Sequence, residues 1–212
     1  MKIILMGPPG SGKGTQASHI AGIVGVDSVS SGDLFRDNLS KNTELGLLAK
    51  SFMEKGEYVP DDVTIDMVMN WIEEPKHSAG FVIDGFPRTL KQAKALDEKL
   101  LESGGVDRVV FFDVPEEDLV RRLSGRLICS SCQTPFHKMF SPPKEENCCD
   151  NCGDVLYQRE DDRPDVVRNR LHVYTRETEP VVDYFEKVGN LRRIDASLAI
   201  NKVRESLEEV VR

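Results

Sequence analysis

Met6-Gly7-Pro8-Pro9-Gly10-Ser11-Gly12-Lys13-Gly14-Thr15 is the stretch that decides how this chain folds. An apolar run, Ile3-Ile4-Leu5, precedes it, and a helical pattern with Ala17, Ile20, Ala21 and Val24 on one face follows it. A glycine-rich turn between a buried strand and a helix aims several backbone N–H groups at one point, and the helix adds the positive end of its dipole. Such a turn cradles phosphate, and Lys13 sets a mobile cation over the outer phosphates. The spacing Gly7-x4-Gly12-Lys13 fits a phosphate loop whose hydroxyl arrives one residue late, at Thr15. Glycines at 10, 12 and 14 do not make the G-x-G-x-x-G of a dinucleotide site.

Strands and helices alternate along the rest of the chain. Residues 2–6 and 81–83 read as buried strands, 108–112 and 191–194 as further strands, and a second apolar run ends at Ser30-Ser31-Gly32-Asp33. Helices are predicted over Ile65, Val68, Met69, Trp71 and Ile72, over Leu90, Ala93, Leu96 and Leu100, and over 115–123 and 200–211. A further helix covers 163–179, with Val167, Leu171 and Tyr174 inward and Pro180 interrupting it. Side-chain oxygens of Ser30 to Asp33 and of Asp61-Asp62 stand where they can cap helices. The order predicts an α/β fold, a doubly wound parallel sheet of about five strands covered on both faces, with polar groups gathered at the strands' carboxyl ends. Residues 30–59 are polar, helical and short of strands, and read as a helical insertion.

A chain of 212 residues makes one core with small insertions. A formal charge of −8 and a pI near 5.1 disfavour an extended nucleic-acid surface, while 28 Lys and Arg suffice for a local anion pocket. No apolar run approaches the ~18 residues of a membrane span, and the N-terminus enters the first strand without a signal-peptide pattern. A cytoplasmic protein without a membrane partner is expected.

All five cysteines fall between positions 129 and 152. Cys129-x2-Cys132-x16-Cys149-x2-Cys152 has the spacing of two zinc knuckles, and four thiolates close a tetrahedron with no open position. A structural Zn²⁺ is therefore expected. Gly153 and Pro142-Pro143 suit the tight turns of a small ribbon, and Cys148 is a bystander. The histidines at 19, 77, 137 and 172 form no pair and read as structural or exposed.

The phosphate loop, Ser31-Gly32-Asp33-Leu34-Phe35-Arg36, Asp84-Gly85-Phe86-Pro87-Arg88 with Gln92, and Arg122-Leu123-Ser124-Gly125-Arg126 together resemble adenylate kinase, from residue 1 to about 196. The resemblance implies Mg²⁺-dependent, reversible transfer of a phosphoryl group from ATP to AMP, giving two ADP. It implies a P-loop core of residues 1–29, 60–121 and 160–212, an AMP-binding insertion at 30–59, and a zinc-binding, ribbon-like lid at 122–159. Gly10, Ser11, Gly12, Lys13, Gly14 and Thr15 would hold the ATP phosphates; Arg122 would stack on the ATP adenine, with backbone near Leu198 reading its edge. Ser31, Arg36 and Arg88 would hold AMP, and Gln92 with backbone near Val59 and Gly85 would read its base. Arg126, Arg159 and Arg170 would surround the transferring group with Lys13 and Arg88, the last two lid and hinge arginines also facing AMP. Asp84 would hold Mg²⁺ through water, and Asp161 or Asp162 would orient the lid arginines. Leu127 departs from the second arginine that many relatives carry. The expected partners are ATP, AMP and ADP, acted on by a monomer without nucleic acid.

The chemistry agrees with that set of residues. Phosphoryl transfer needs two anions aligned, their charge neutralised and water excluded, and arginine forks bind phosphate oxygens bidentately. A kinase for another nucleoside monophosphate shares the loop and the arginines, though Gln92 and the cysteine lid favour adenine. A nucleotide-switched zinc ribbon that binds nucleic acid is the reading from a different class. Glu145, Glu146, Asp150 and Asp154 in the same insertion oppose it.

Overall fold

The computed structural model describes residues 1–211. β1 (Lys2–Met6) leads into α1 (Lys13–Val24), β2 (Asp27–Ser30), α2 (Ser31–Ser40), α3 (Glu44–Met53) and α4 (Asp61–Ile72). β3 (Phe81–Asp84), α5 (Leu90–Leu100), β4 (Arg108–Asp113) and α6 (Glu116–Ser124) follow. Three short strands, β5 (Arg126–Cys129), β6 (Pro135–His137) and β7 (Leu156–Tyr157), precede α7 (Pro164–Glu177), α8 (Glu179–Val188), β8 (Leu191–Asp195) and α9 (Ile200–Val211).

Five strands pair in parallel in the order β2-β3-β1-β4-β8. Successive strand residues face opposite sides, so a sheet covered twice needs apolar residues at every position. Ile3, Leu5, Val82, Val110 and Phe112 join one core with residues of α1, α6, α7 and α9; Ile4, Met6, Phe81, Ile83, Val109 and Phe111 join the other with α4, α5 and α8. β1 lies between β3 on one side and β4 on the other, so the crevice at its carboxyl end is where an open α/β sheet binds ligands. Two satellites flank that crevice. Around Phe35, Ala49 and Val59 the α2–α3 segment has its own small core, and β6-β5-β7 form an antiparallel sheet over Cys129, Phe136, Cys149 and Leu156. Among the described residues no helix is long and apolar enough to cross a membrane.

The structure corrects four local expectations. The helix expected over 163–179 is Pro164–Glu177, and a separate helix, α8, starts at Glu179. Pro180 sits in the first turn of α8, where its missing N–H costs nothing, so it opens a helix there, and Val181, Val182 and Phe185 bury against the sheet. Ser30 is the N-cap of α2 but makes no side-chain cap bond, and Ser31 is already inside the helix, its hydroxyl donating to the Gly85 carbonyl at 2.6 Å. Asp61 and Asp62 lie inside the first turn of α4 behind an N-cap at Pro60, and Asp61 Oδ1 accepts from Thr89 Oγ1 and Gln92 Nε2. Leu90, the first residue of α5, is exposed ahead of the buried stripe. The histidines divide as expected: His77 is buried and stacked on Trp71, His137 is buried, His19 lies by Glu208, and His172 is exposed.

Candidate active site

Gly12 is the N-cap of α1, with φ 94°, no side-chain cap and no acidic residue in the first turn. A Cβ there would meet nothing within 4 Å, so the left-handed backbone alone calls for glycine. The helix's first N–H groups are left for an outside anion. Lys13 Nζ folds back over the loop and donates to Gly7 O (2.7 Å), Pro8 O (2.9 Å) and Ser11 Oγ (3.2 Å). Burial lowers the Lys13 ammonium to about 8; Asp84 opposes this, while Arg88, Arg170 and Arg126 add to it. Asp84, at the carboxyl end of β3, is pushed up by burial against the pull of Lys13 and Arg88. A carboxylate so placed, facing the loop from 3.4 Å beyond Gly14's ideal Cβ, fits a site for a hard cation.

Arginines close the far side. Arg126, at the start of β5, grips the fully buried Asp162 with both arms of its fork, Nε to Oδ2 at 2.7 Å and Nη2 to Oδ1 at 2.5 Å. Arg170 Nη1 reaches the same carboxylate at 3.2 Å, the Asp161 carboxylate at 3.0 Å and the Asp161 carbonyl at 2.9 Å. Burial works to lower Arg126, but Asp162 outweighs it and the guanidinium rises; Arg170 ends lower, because burial exceeds the help of Asp161. Asp161 resists its own burial through Arg170 and Arg126 and stays below the usual carboxylate range. Arg159 is less well served. Its Nε is buried without a hydrogen-bond partner among the described residues, its nearest carboxylate contact is Asp33 at 3.7 Å, and burial with Arg36 and Arg126 beside it lowers it to about 10. Arg36 shares that carboxylate, donating from Nε to Asp33 Oδ1 at 3.2 Å. Six cations therefore converge on fewer carboxylates than they need, which is the electrostatic signature of a polyanion site.

Gly85 joins β3 to the remaining arginine. Its φ of 73° calls for glycine, and a Cβ would stand 2.8 Å from Arg88 Nη2, so a side chain there would push the guanidinium aside. The Gly85 carbonyl accepts from Arg88 Nε at 2.7 Å, and Arg88 N–H donates to Gln92 Oε1 at 2.7 Å. Gln92 is buried, and its Nε2 donates a hydrogen bond to Asp61 Oδ1. On the opposite wall, Arg122 in the last turn of α6 donates to Ala196 O (2.8 Å) and Ser197 O (3.1 Å), which fixes its guanidinium against the segment carrying Leu198. A single cleft of about 980 Å³ is lined by every residue expected to bind ATP or AMP, from Gly10–Thr15 to Leu198 and from Ser31 and Val59 to Arg170, and by Asp84. That volume is at the upper end of the range for small-molecule sites.

The four cysteine sulfurs lie within 4.8 Å of one another; Cys129 pairs closest with Cys152 (3.4 Å) and Cys132 with Cys149 (3.5 Å). Asn151 N–H points at the Cys149 sulfur, and two of the four side chains are buried. The donor set and its convergence fit a tetrahedral metal ion. Cys148 is outside the cluster, its thiol on Gly153 O.

Three site residues escaped the sequence reading. Asp33 stands among the oxygens placed to cap a helix, Tyr58 lies in the polar helical insertion, and Thr178 falls inside the helix expected over 163–179. For Asp33 the i,i+3 spacing to Arg36 on one helix was the available signal; Tyr58 and Thr178 meet Arg88 only through tertiary packing, which leaves no local signal.

The family model described as adenylate kinase matches residues 5–190. An adenylate kinase of Carboxydothermus hydrogenoformans is 48% identical over 212 residues, spanning 100% of this chain and 99% of the relative. One from Methanocella arvoryzae is 46% identical over 213 residues, and one from Staphylococcus aureus 47% identical over 212, each covering 99% of the relative. These relatives favour neither a kinase for another nucleoside monophosphate nor a nucleic-acid-binding ribbon.

Proposed function

The chain belongs to the adenylate kinase family and transfers a phosphoryl group reversibly between ATP and AMP to give two ADP, and we propose that its residues divide the work as follows. Residues 1–29, 60–121 and 160–212 act as the core, 30–59 as the AMP-binding insertion and 122–159 as the lid. Backbone N–H groups of Gly10 to Thr15 and the Lys13 ammonium hold the β- and γ-phosphates of ATP, and Arg122 and the backbone near Leu198 take its adenine. Arg36 and Arg88, with Ser31, hold the AMP phosphate; Gln92 and the backbone at Val59 and Gly85 read the base. Arg126, Arg159 and Arg170 come onto the phosphoryl group in flight, where charge spreads over its equatorial oxygens. They replace hydration with fixed cations, and closure of lid and insertion keeps water from the reacting phosphorus. No side chain has to act as an obligatory base.

Mg²⁺, held through water by Asp84, supplies charge neutralisation on the ATP phosphates when bound. A Zn²⁺ on Cys129, Cys132, Cys149 and Cys152 gives the lid the cross-link that so small a core lacks, with no vacant position for chemistry. The enzyme is read as a cytoplasmic monomer. The observation that supports this division is the convergence of Lys13, Arg36, Arg88, Arg126, Arg159 and Arg170 on one cleft, where burial lowers Lys13 and Arg159. Lys13→Ala, Arg88→Ala and Arg126→Ala should each lower turnover by roughly a thousandfold or more with the circular-dichroism spectrum unchanged. A near-normal rate and KM for AMP in Arg88→Ala would remove the AMP assignment.

A further inference from the structure

Thr178 stands between α7 and α8 at the N-cap of α8, where a threonine hydroxyl ordinarily accepts a hydrogen bond from its own helix. It makes no such bond. The residue is 4% exposed, and its Oγ1 lies 2.9 Å from the Arg88 carbonyl oxygen and 2.8 Å from the Tyr58 hydroxyl. A carbonyl can only accept and each hydroxyl carries one proton, so the direction is fixed: Thr178 donates to Arg88, and Tyr58 donates to Thr178. Arg88 Cζ in turn lies 5.1 Å from the centroid of the Tyr58 ring. The contacts form a closed circuit, from the arginine's head to the ring, from the ring's hydroxyl to Thr178, and from Thr178 back to the same arginine's backbone.

The circuit joins three separate parts of the chain: the return of the helical insertion at Tyr58, the loop after β3 at Arg88, and the α7–α8 junction at Thr178. Its chemistry differs from that at Arg126, where a carboxylate fixes the fork but consumes its donors and its charge. An aromatic face orients a guanidinium plane without taking its N–H groups or neutralising it, which suits an arginine that must still grip an anion bidentately. We infer that Tyr58 and Thr178 are positioning residues for the monophosphate half of the reaction, holding the Arg88 guanidinium in the plane that meets the phosphate of AMP. The inference rests on the assignment of Arg88 to AMP.

The test compares Tyr58→Phe, Thr178→Val, Thr178→Ser, the double variant Tyr58→Phe/Thr178→Val and Arg88→Ala in steady-state kinetics and in AMP titrations without Mg²⁺ or ATP. Tyr58→Phe and Thr178→Val should each raise KM and Kd for AMP about three- to tenfold, the scale of one lost neutral hydrogen bond, with KM for ATP changed by less than about twofold. Thr178→Ser, which keeps the hydroxyl, should restore the parent values. The double variant should be no worse than the stronger single one, because the circuit is broken only once. AMP constants unchanged in both single variants, or KM for ATP rising by the same factor, would overturn the inference. If Arg88→Ala raises KM for AMP while the others do not, the circuit alone fails; if Arg88→Ala leaves it unchanged, the AMP assignment fails and the inference goes with it. Should Thr178→Val not fold, Tyr58→Phe, which keeps the ring in place, gives the decision.

Discussion

Asp162→Asn tests the electrostatic framework of the lid hinge. Asp162 is fully buried and accepts from Arg126 Nε, Arg126 Nη2 and Arg170 Nη1. Asparagine has nearly the same shape, but it removes the charge and turns an NH₂ toward one of those donors, so a donor faces a donor. Breaking a buried ion pair costs about 3–5 kcal/mol. Arg126 is 22% exposed and Asp161 remains beside Arg170, so the lower end, about 3 kcal/mol, applies. In a domain of this size each kcal/mol moves Tm by about 2–4 °C, and the expected drop is therefore about 6–12 °C. Turnover should fall as well, by about a hundredfold, because the two arginines proposed to meet the transferring phosphoryl group lose their common anchor. Scanning calorimetry and steady-state ADP formation on one preparation measure both. A Tm within about 2 °C of the parent together with an unchanged kcat would refute the reasoning, since the shared Asp162 carboxylate would then not be what holds both guanidinium groups.

Burial holds Lys13 at about 8 in the free protein, and on its proposed role at the ATP phosphates it would gain anionic partners that favour its protonated form in the complex. As pH rises through 8 the free enzyme loses that charge, kcat/KM for ATP should fall while kcat holds, and calorimetry between about pH 8 and 9 in buffers of different ionisation enthalpy should show proton uptake. Asp33→Asn removes a carboxylate that engages Arg36 and faces Arg159, and AMP titrated without Mg²⁺ should bind about two- to fivefold tighter; weaker binding would contradict the reading of Asp33 as a competitor of the phosphate. Stripping the metal, or Cys129→Ser with Cys132→Ser, should lower Tm while a substantial part of the activity persists at temperatures where the protein stays folded. Loss of turnover with Tm unchanged would give the metal a place in the reaction.

The core was legible because its signals are local and mutually consistent. The loop at Gly7–Thr15 sits between a run too apolar for anything but a strand and a helix with one apolar face, β1, β3 and β4 fall on apolar runs, and β8, with Arg192 and Arg193 in its middle, still falls where a last strand was expected. Cysteine spacing foretold the cluster in the lid, whereas strands as short as Leu156–Tyr157 leave no period to read. Misreadings arose where a side chain serves a distant partner. Ser31 and Asp61 have the composition of caps, yet their oxygens are committed to Gly85 and to Thr89 and Gln92. Pro180 was read as a stop, although proline fits the first turn of a helix equally well, and the apolar Val181, Val182 and Phe185 beyond it carried the signal of α8. Which carboxylate answers which lid arginine depends on tertiary packing, so Asp162 is legible only together with Asp161, and the approach of Arg159 to Asp33 not at all, although Asp33 and Arg36 stand at i,i+3 on one helix.

The central claim is that one cleft seats two nucleotides side by side, each on its own cations. Titration calorimetry with two adenosines joined by five phosphates tests it most directly. One such molecule per chain should displace both ATP and AMP and bind about a hundredfold or more tighter than either alone, because the second engagement becomes intramolecular. Both Lys13→Ala and Arg88→Ala should weaken it. If the molecule displaced ATP while AMP still bound beside it, the adjacent two-site account would be contradicted.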